Sequence, residues 1–196
     1  MGTADLVNAN IPSWRGAEDT AYYGWNDFEH GIGQPNMNEI GVPGAMLFNF
    51  AAGAIISGSG NIYNPTGGLD IHVYGYSNIE YAVLNFASQG NEFNYDQVAL
   101  AVTFADQSQG YYFADTHAIQ DYVAIPGFGA NVTSSYEWDL SSIDQEIIEW
   151  GFFMTADNPH TSLDAVSVDI AMGAIPAPGA LMLLSIAGCS IRRRRS

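Results

Sequence analysis

The chain has 196 residues, 47% hydrophobic and 13% aromatic, which is enough for one packed domain with appendages and too apolar for a disordered body. Its net charge is −16, with no lysine and five arginines, four of them in the run Arg192 to Arg195. All 21 acidic residues lie between Asp5 and Asp169, so residues 1–173 carry −20 against the single cation Arg15, a field that excludes nucleic acid and repels anionic polymers and membranes.

The first 44 residues are irregular in pattern, with one expected strand at 21–28. From residue 45 onward, short apolar or alternating runs are broken by Gly, Asn, Asp and Ser. They predict strands at 45–50, 54–61, 69–76, 79–87, 97–104, 111–118, 134–140, 148–155 and 164–172. Leu69, Ile71 and Val73 alternate with Asp70, His72 and Tyr74, the period of a half-buried strand. The run 79–87 is apolar on both faces and is expected to be central. Ser141 to Glu146 offers a serine cap with acidic residues behind it, one or two helical turns. Strands at this spacing with little helix predict an all-β fold, a two-sheet antiparallel β-sandwich of jelly-roll type, over residues 1–173.

Residues 174–196 form a separate unit. Pro176, Ala177 and Pro178 make a stiff break, 180–191 is an apolar run expected as a hydrophobic helix apart from the sandwich, and Arg192, Arg193, Arg194 and Arg195 follow. Twelve apolar residues fall short of the roughly 17–25 that span a bilayer. The arginines would stop such a segment on the cytoplasmic side of a bacterial inner membrane, leaving residues 1–173 outside. Cys189 is the only cysteine, so residues 1–173 hold no disulfide or thiolate metal site. Met1-Gly2-Thr3-Ala4-Asp5 lacks the basic start and apolar stretch of a secretory signal. An export reading therefore takes the chain to begin after a cleavage site or at a misplaced start.

Pro176-Ala177-Pro178, the apolar run and the arginine cluster together resemble the PEP-CTERM sorting signal, in the Pro-Ala-Pro variant of planctomycete-like sequences, with Ala177 where the family has glutamate. The resemblance implies recognition and cleavage by an exosortase-type membrane enzyme, transient anchoring by the tail, and a mature protein at the cell surface or in the extracellular matrix. Trp14-Arg15-Gly16, Thr20, Trp25 and Phe28, with Ser162 to Val166, are similar to exported β-sandwich proteins carrying that signal. That similarity implies architecture and secretion, and no activity.

For ligands, the acidic field permits neutral sugars and divalent cations. Asp70, His72, Tyr74 and Tyr76 share one strand phase opposite the apolar face, and are the expected ligand-binding set for a polysaccharide. Trp14, Tyr22, Tyr23, Trp25, Tyr111 and Tyr112 are expected as core or rim aromatics, with a sugar-stacking platform as the alternative. Asp27, Glu29 and Asp169 are candidate calcium ligands, because calcium takes six to eight oxygens from carboxylates and carbonyls. The histidines show no metal-binding spacing, and neither a Gly-x-Ser-x-Gly elbow nor a phosphate loop occurs. The expected role is binding or structural, not enzymatic and without an organic cofactor. The alternatives are a secreted polysaccharide hydrolase and a structural surface-layer component.

Overall fold

The computed structural model describes Leu6 and residues 9–173. The sorting residues Pro176, Ala177, Pro178 and Arg192 to Arg195, and the helix expected at 180–191, lie outside the described residues. In chain order the strands are β1 (Thr20–Trp25), β2 (Asn36–Met37), β3 (Ile40–Gly41), β4 (Met46–Asn49), β5 (Ile55–Ile56), β6 (Ile62–Asn64) and β7 (Leu69–Gly75). They continue with β8 (Tyr81–Gly90), β9 (Ala99–Phe104), β10 (Gln109–Phe113), β11 (Thr116–Ile125), β12 (Gly129–Asp139), β13 (Ile147–Ala156) and β14 (Thr161–Ala171). One 3-10 turn at Tyr95–Gln97 is the only helical element among the described residues, and none of their helices is long and apolar enough to cross a membrane.

The strands form two sheets. One runs β11-β12-β8-β14-β1-β3 with β6 and β5 added beside β14; the other runs β10-β9-β13-β7-β4-β2. Every pairing is antiparallel. The long strands pair in a nested order: β1 with β14, β7 with β13, β8 with β12, and β9 with β10. Successive nested pairs fall in alternate sheets. A long two-stranded ribbon has thus been rolled round one core, which is jelly-roll winding.

Alternation puts one face of each sheet into that core. Leu69, Ile71 and Val73 point inward from β7, and Leu100, Val102 and Phe104 from β9. Trp25, Trp138 and Trp150 are fully buried, and each indole N–H finds an acceptor: Asn36 O at 2.9 Å, Tyr112 O at 3.2 Å and Ser77 Oγ at 3.0 Å. Without those partners each buried donor would cost about 1–3 kcal/mol.

The run expected to be central is central: β8 lies between β12 and β14. Its outer face is covered by the irregular N-terminal segment. Leu6 packs on Ala87 and Ala165, while Asn10 and Asn85 exchange two hydrogen bonds at 3.0 Å. Beyond them Arg15 reaches Asp169 on β14.

Three expectations need correction. The strand expected at 54–61 is only Ile55–Ile56, because the chain turns at 57–60, where Gly60 N–H donates to Ser57 O, and pairs back as β6. The strand expected at 111–118 is two elements, because the chain turns at Ala114 and Asp115, and the ten-residue β11 follows. Ser141 to Glu146 forms a turn and no helix. There Asp139 Oδ1 accepts from the backbone N–H of Ser141 at 3.0 Å, and Ile143 N–H donates to Leu140 O, which turns the chain back toward β13.

Candidate functional site

The six-stranded sheet has an outer face that the N-terminal segment does not cover, and aromatic rings run across it. The register aligns Phe48 of β4, His72 of β7, Phe153 of β13 and Ala99 of β9, with Phe113 of β10 opposite Ala99. The next row is Met46, Tyr74, Gly151, Ala101 and Tyr111. Residues two apart along a strand share a face, so these rows form one surface.

The rings touch in sequence. Phe48 stacks on Phe50 at 5.6 Å between centroids, and Phe50 meets His72 edge-on at 4.8 Å. His72 meets Phe153 at 4.5 Å, and Phe153 lies 6.5 Å from Tyr111, which abuts Phe113 at 5.6 Å. Tyr111 reaches Phe153 across a whole strand because β9 presents only Ala99 and Ala101 between them. Phe50, Tyr111 and Phe113 are 47%, 59% and 62% exposed, so the band ends in rings that face solvent.

Two glycines fix how the rings lie. A Cβ on Gly151 would come within 2.8 Å of the Tyr74 ring, so Tyr74 lies flat across β13. One position on, on the core side, a Cβ on Gly75 would come within 2.1 Å of Trp150. The pairs Tyr74–Gly151 and Trp150–Gly75 are register partners, each glycine making room for the neighbouring strand's ring on the opposite face of the sheet.

A polar chain runs along β7 among the rings. His72 Nε2 lies 2.9 Å from Asp70 Oδ1, and His72 Nδ1 lies 2.8 Å from the Tyr74 hydroxyl. A carboxylate can only accept, so in the tautomer with its proton on Nε2 the imidazole donates to Asp70 and Nδ1 accepts a hydrogen bond from the Tyr74 hydroxyl. The Tyr74 oxygen and the second Asp70 oxygen are left as acceptors, and the Asp70 side chain is 42% exposed.

This chain has the order of groups of a hydrolase relay: carboxylate, imidazole, hydroxyl. The group at its end is a phenol, and burial first, then the charges of Glu149 and Asp70, push the Tyr74 pKa up. Activation of a nucleophile needs the opposite direction. Orientation of hydroxyl groups on an apolar platform needs nothing more than these acceptors.

Of the expected ligand set, the structure brings Asp70, His72 and Tyr74 together. Tyr76 stands beyond the end of β7, 66% exposed. Phe48, Phe50, Phe153, Tyr111 and Phe113 complete the face and carry no signal as a set in the sequence.

The expected calcium ligands are dispersed. Asp27 and Glu29 are exposed in the loop after β1. Asp169 is fully buried opposite Tyr22, near the other end of β1, and both its oxygens take donors from Arg15, at 2.5 Å from Nε and 2.6 Å from Nη2. Burial raises the Asp169 pKa, against the pull of Arg15. Arg15 also lies over the Tyr22 ring, 4.0 Å from its centroid. Among the described residues, no group of three or more His, Cys, Asp or Glu stands where it could hold a metal ion.

No family model matches the chain, and no curated protein matches it. Among solved structures the chain is similar to a carbohydrate-binding module studied for specific mannan recognition, with a TM-score of 0.28 and 13% identity over 81% of this chain and 92% of that one.

Proposed function

We propose that the protein is a non-catalytic binding module whose outer six-stranded face holds a neutral polysaccharide. The observation that carries the reading is the unbroken band of rings from Phe50 to Phe113, with the Asp70–His72–Tyr74 chain set into it. A sugar ring has an apolar C–H face and a rim of hydroxyls. Flat aromatic rings accept the first and fixed acceptors orient the second. The acidic field turns away uronates and sulfated polymers, which leaves neutral chains. Affinity electrophoresis through gels containing neutral polysaccharides tests this. The wild type is retarded by at least one of them, and Tyr111→Ala/Phe153→Ala runs as in a plain gel. Release of reducing sugar from the retarding polymer would contradict a non-catalytic role.

The sorting reading of residues 174–196 belongs to the same proposal and rests on their sequence pattern alone. An exported module cleaved by an exosortase-type enzyme, after transient anchoring in the membrane, would meet polysaccharide at the cell surface or in the matrix. Mass spectrometry of the secreted protein tests it. The proposal expects a mature chain lacking Arg192 to Arg195, and a chain ending at Ser196 overturns it.

A further inference from the structure

On the opposite side of the sandwich, the described part of the N-terminal segment, Leu6 and residues 9–19, lies on part of the eight-stranded sheet. Toward the tip of the β11–β12 hairpin, one register row crosses four strands: Asn131, Gln89, Ser162 and Tyr63. A cleft of about 200 Å³ opens over Gln89, Ser162 and Tyr63 of this row, and one of about 430 Å³ lies beside it against the hairpin; both are lined by Phe128 and His160. Phe128 sits at the tip of the β11–β12 hairpin, 50% exposed, between Gly127 and Gly129, whose positive φ of 76° and 108° make the turn.

His160 is held in an unusual state. Its φ is 63°, a left-handed conformation that a side-chain-bearing residue keeps only where the surroundings enforce it. They do so from three sides. Its N–H donates to Asn64 O at 2.7 Å, its carbonyl accepts from Asn91 N–H at 3.1 Å, and its Nδ1 lies 2.7 Å from the Tyr63 hydroxyl. A Cβ on Gly90 would meet the His160 carbonyl at 2.0 Å, so the backbone closes in behind it as well.

The chemistry of the lining departs from the rest of the surface. In a chain with 21 carboxylates, no acidic residue and no arginine lines either cleft. The polar groups are hydroxyls and amides, such as Ser57, Asn61, Gln89 and Asn91, ranged about one exposed phenyl ring and one imidazole. Such a set recognises an uncharged ligand that carries many hydroxyls and one apolar face. The β5–β6 turn and the β11–β12 hairpin wall the cleft, which suits the end of a chain better than its flank.

We propose that this cleft is a second binding site, for the end of a neutral glycan chain, independent of the aromatic face. Because the two sites lie on opposite faces of one sandwich, a single molecule can join two polysaccharide chains, and joining raises avidity by effective concentration without new contacts.

The test is calorimetric titration of the full chain with the neutral hexasaccharides of mannose, glucose and xylose, together with turbidity of the corresponding long polymers. The proposal expects two sites per chain for at least one sugar. Phe128→Ala and Gln89→Leu, both outside the core, each remove one site or weaken it at least about tenfold, the scale of a single anchoring side chain, with the melting temperature kept. Tyr111→Ala spares that site and weakens the other, and either class of variant abolishes polymer cross-linking. Titrations in which Phe128→Ala and Gln89→Leu bind as the wild type does, or in which no sugar occupies the cleft, overturn the proposal. The aromatic face stands or falls separately on Tyr111→Ala.

Discussion

Individual side chains carry opposite kinds of consequence in this molecule. Asp169 is completely buried and its charge has one partner, Arg15, whose guanidinium binds it through two nitrogens. Arg15→Ala leaves that carboxylate buried and unpaired, and stability should fall by about 3–5 kcal/mol in chemical denaturation. Arg15→Met combined with Asp169→Leu should recover most of the loss, because well-packed apolar residues replace a buried pair at little cost. The pH dependence has a definite sign. The folded-state pKa of Asp169 is raised, so between the unfolded value and the folded one the native state binds the extra proton, and stability rises as pH falls through that window. The deficit of Arg15→Ala should therefore shrink on acidification. The two glycines beneath rings separate stability from binding. Gly75→Ala drives a methyl into Trp150 inside the core and should cost about 1–3 kcal/mol. Gly151→Ala pushes the Tyr74 ring off its seat at the surface, breaking its contact with His72, and should lower polysaccharide affinity more than it lowers the melting temperature.

At the scale of elements, β11 is the exception. It is ten residues long, pairs only with β12, and keeps almost every side chain exposed, including Ile119, Tyr122 and Val123. With His117 stacked on Tyr136 but almost every side chain exposed, its amides should exchange at opening free energies far below those of β8 and β14, as native-state hydrogen exchange can measure. Protection of β11 equal to that of β8 would contradict this. The same property hid it in the sequence: a strand that buries neither face need not alternate, and Thr116 to Ile125 does not. β7, β9 and β12 were legible because each turns one face to the core. The paired residues of β2, β3 and β5 are too short for any period to show. The site divides the same way. Asp70, His72 and Tyr74 are neighbours along one strand, so alternation alone places them on one face. Phe48, Phe153 and Tyr111 join them only through the register of β4, β13 and β10, and no local pattern encodes which distant strands will pair. Phe152 and Phe153 illustrate the limit: adjacent and alike, one is core and the other platform, and only the phase of β13 decides. The calcium expectation failed to gather its ligands for a similar reason, since Arg15 is far in sequence from the Asp169 it occupies.

The whole molecule presents two unlike surfaces on one jelly roll. Among the described residues, one sheet carries the N-terminal segment on its outer face and a neutral cleft at its end; the other is crossed by exposed rings. Around both lies an acidic surface with Arg15 as its sole cation outside the histidines and the C-terminal arginines. Such a charge keeps copies apart and admits uncharged polymers, and binding to them should depend little on salt, in contrast to a charge-driven complex. Raising the ionic strength from about 0.05 to 0.5 M should change the affinity by less than about threefold. The proposed ligand of the six-stranded sheet's outer face is neutral polysaccharide. Amide chemical-shift mapping during titration with neutral hexasaccharides tests it most directly. The largest shifts should cluster at Phe48, His72, Tyr74, Tyr111 and Phe153 and vanish in Tyr111→Ala/Phe153→Ala. A saturating titration that leaves those five residues unmoved would contradict it.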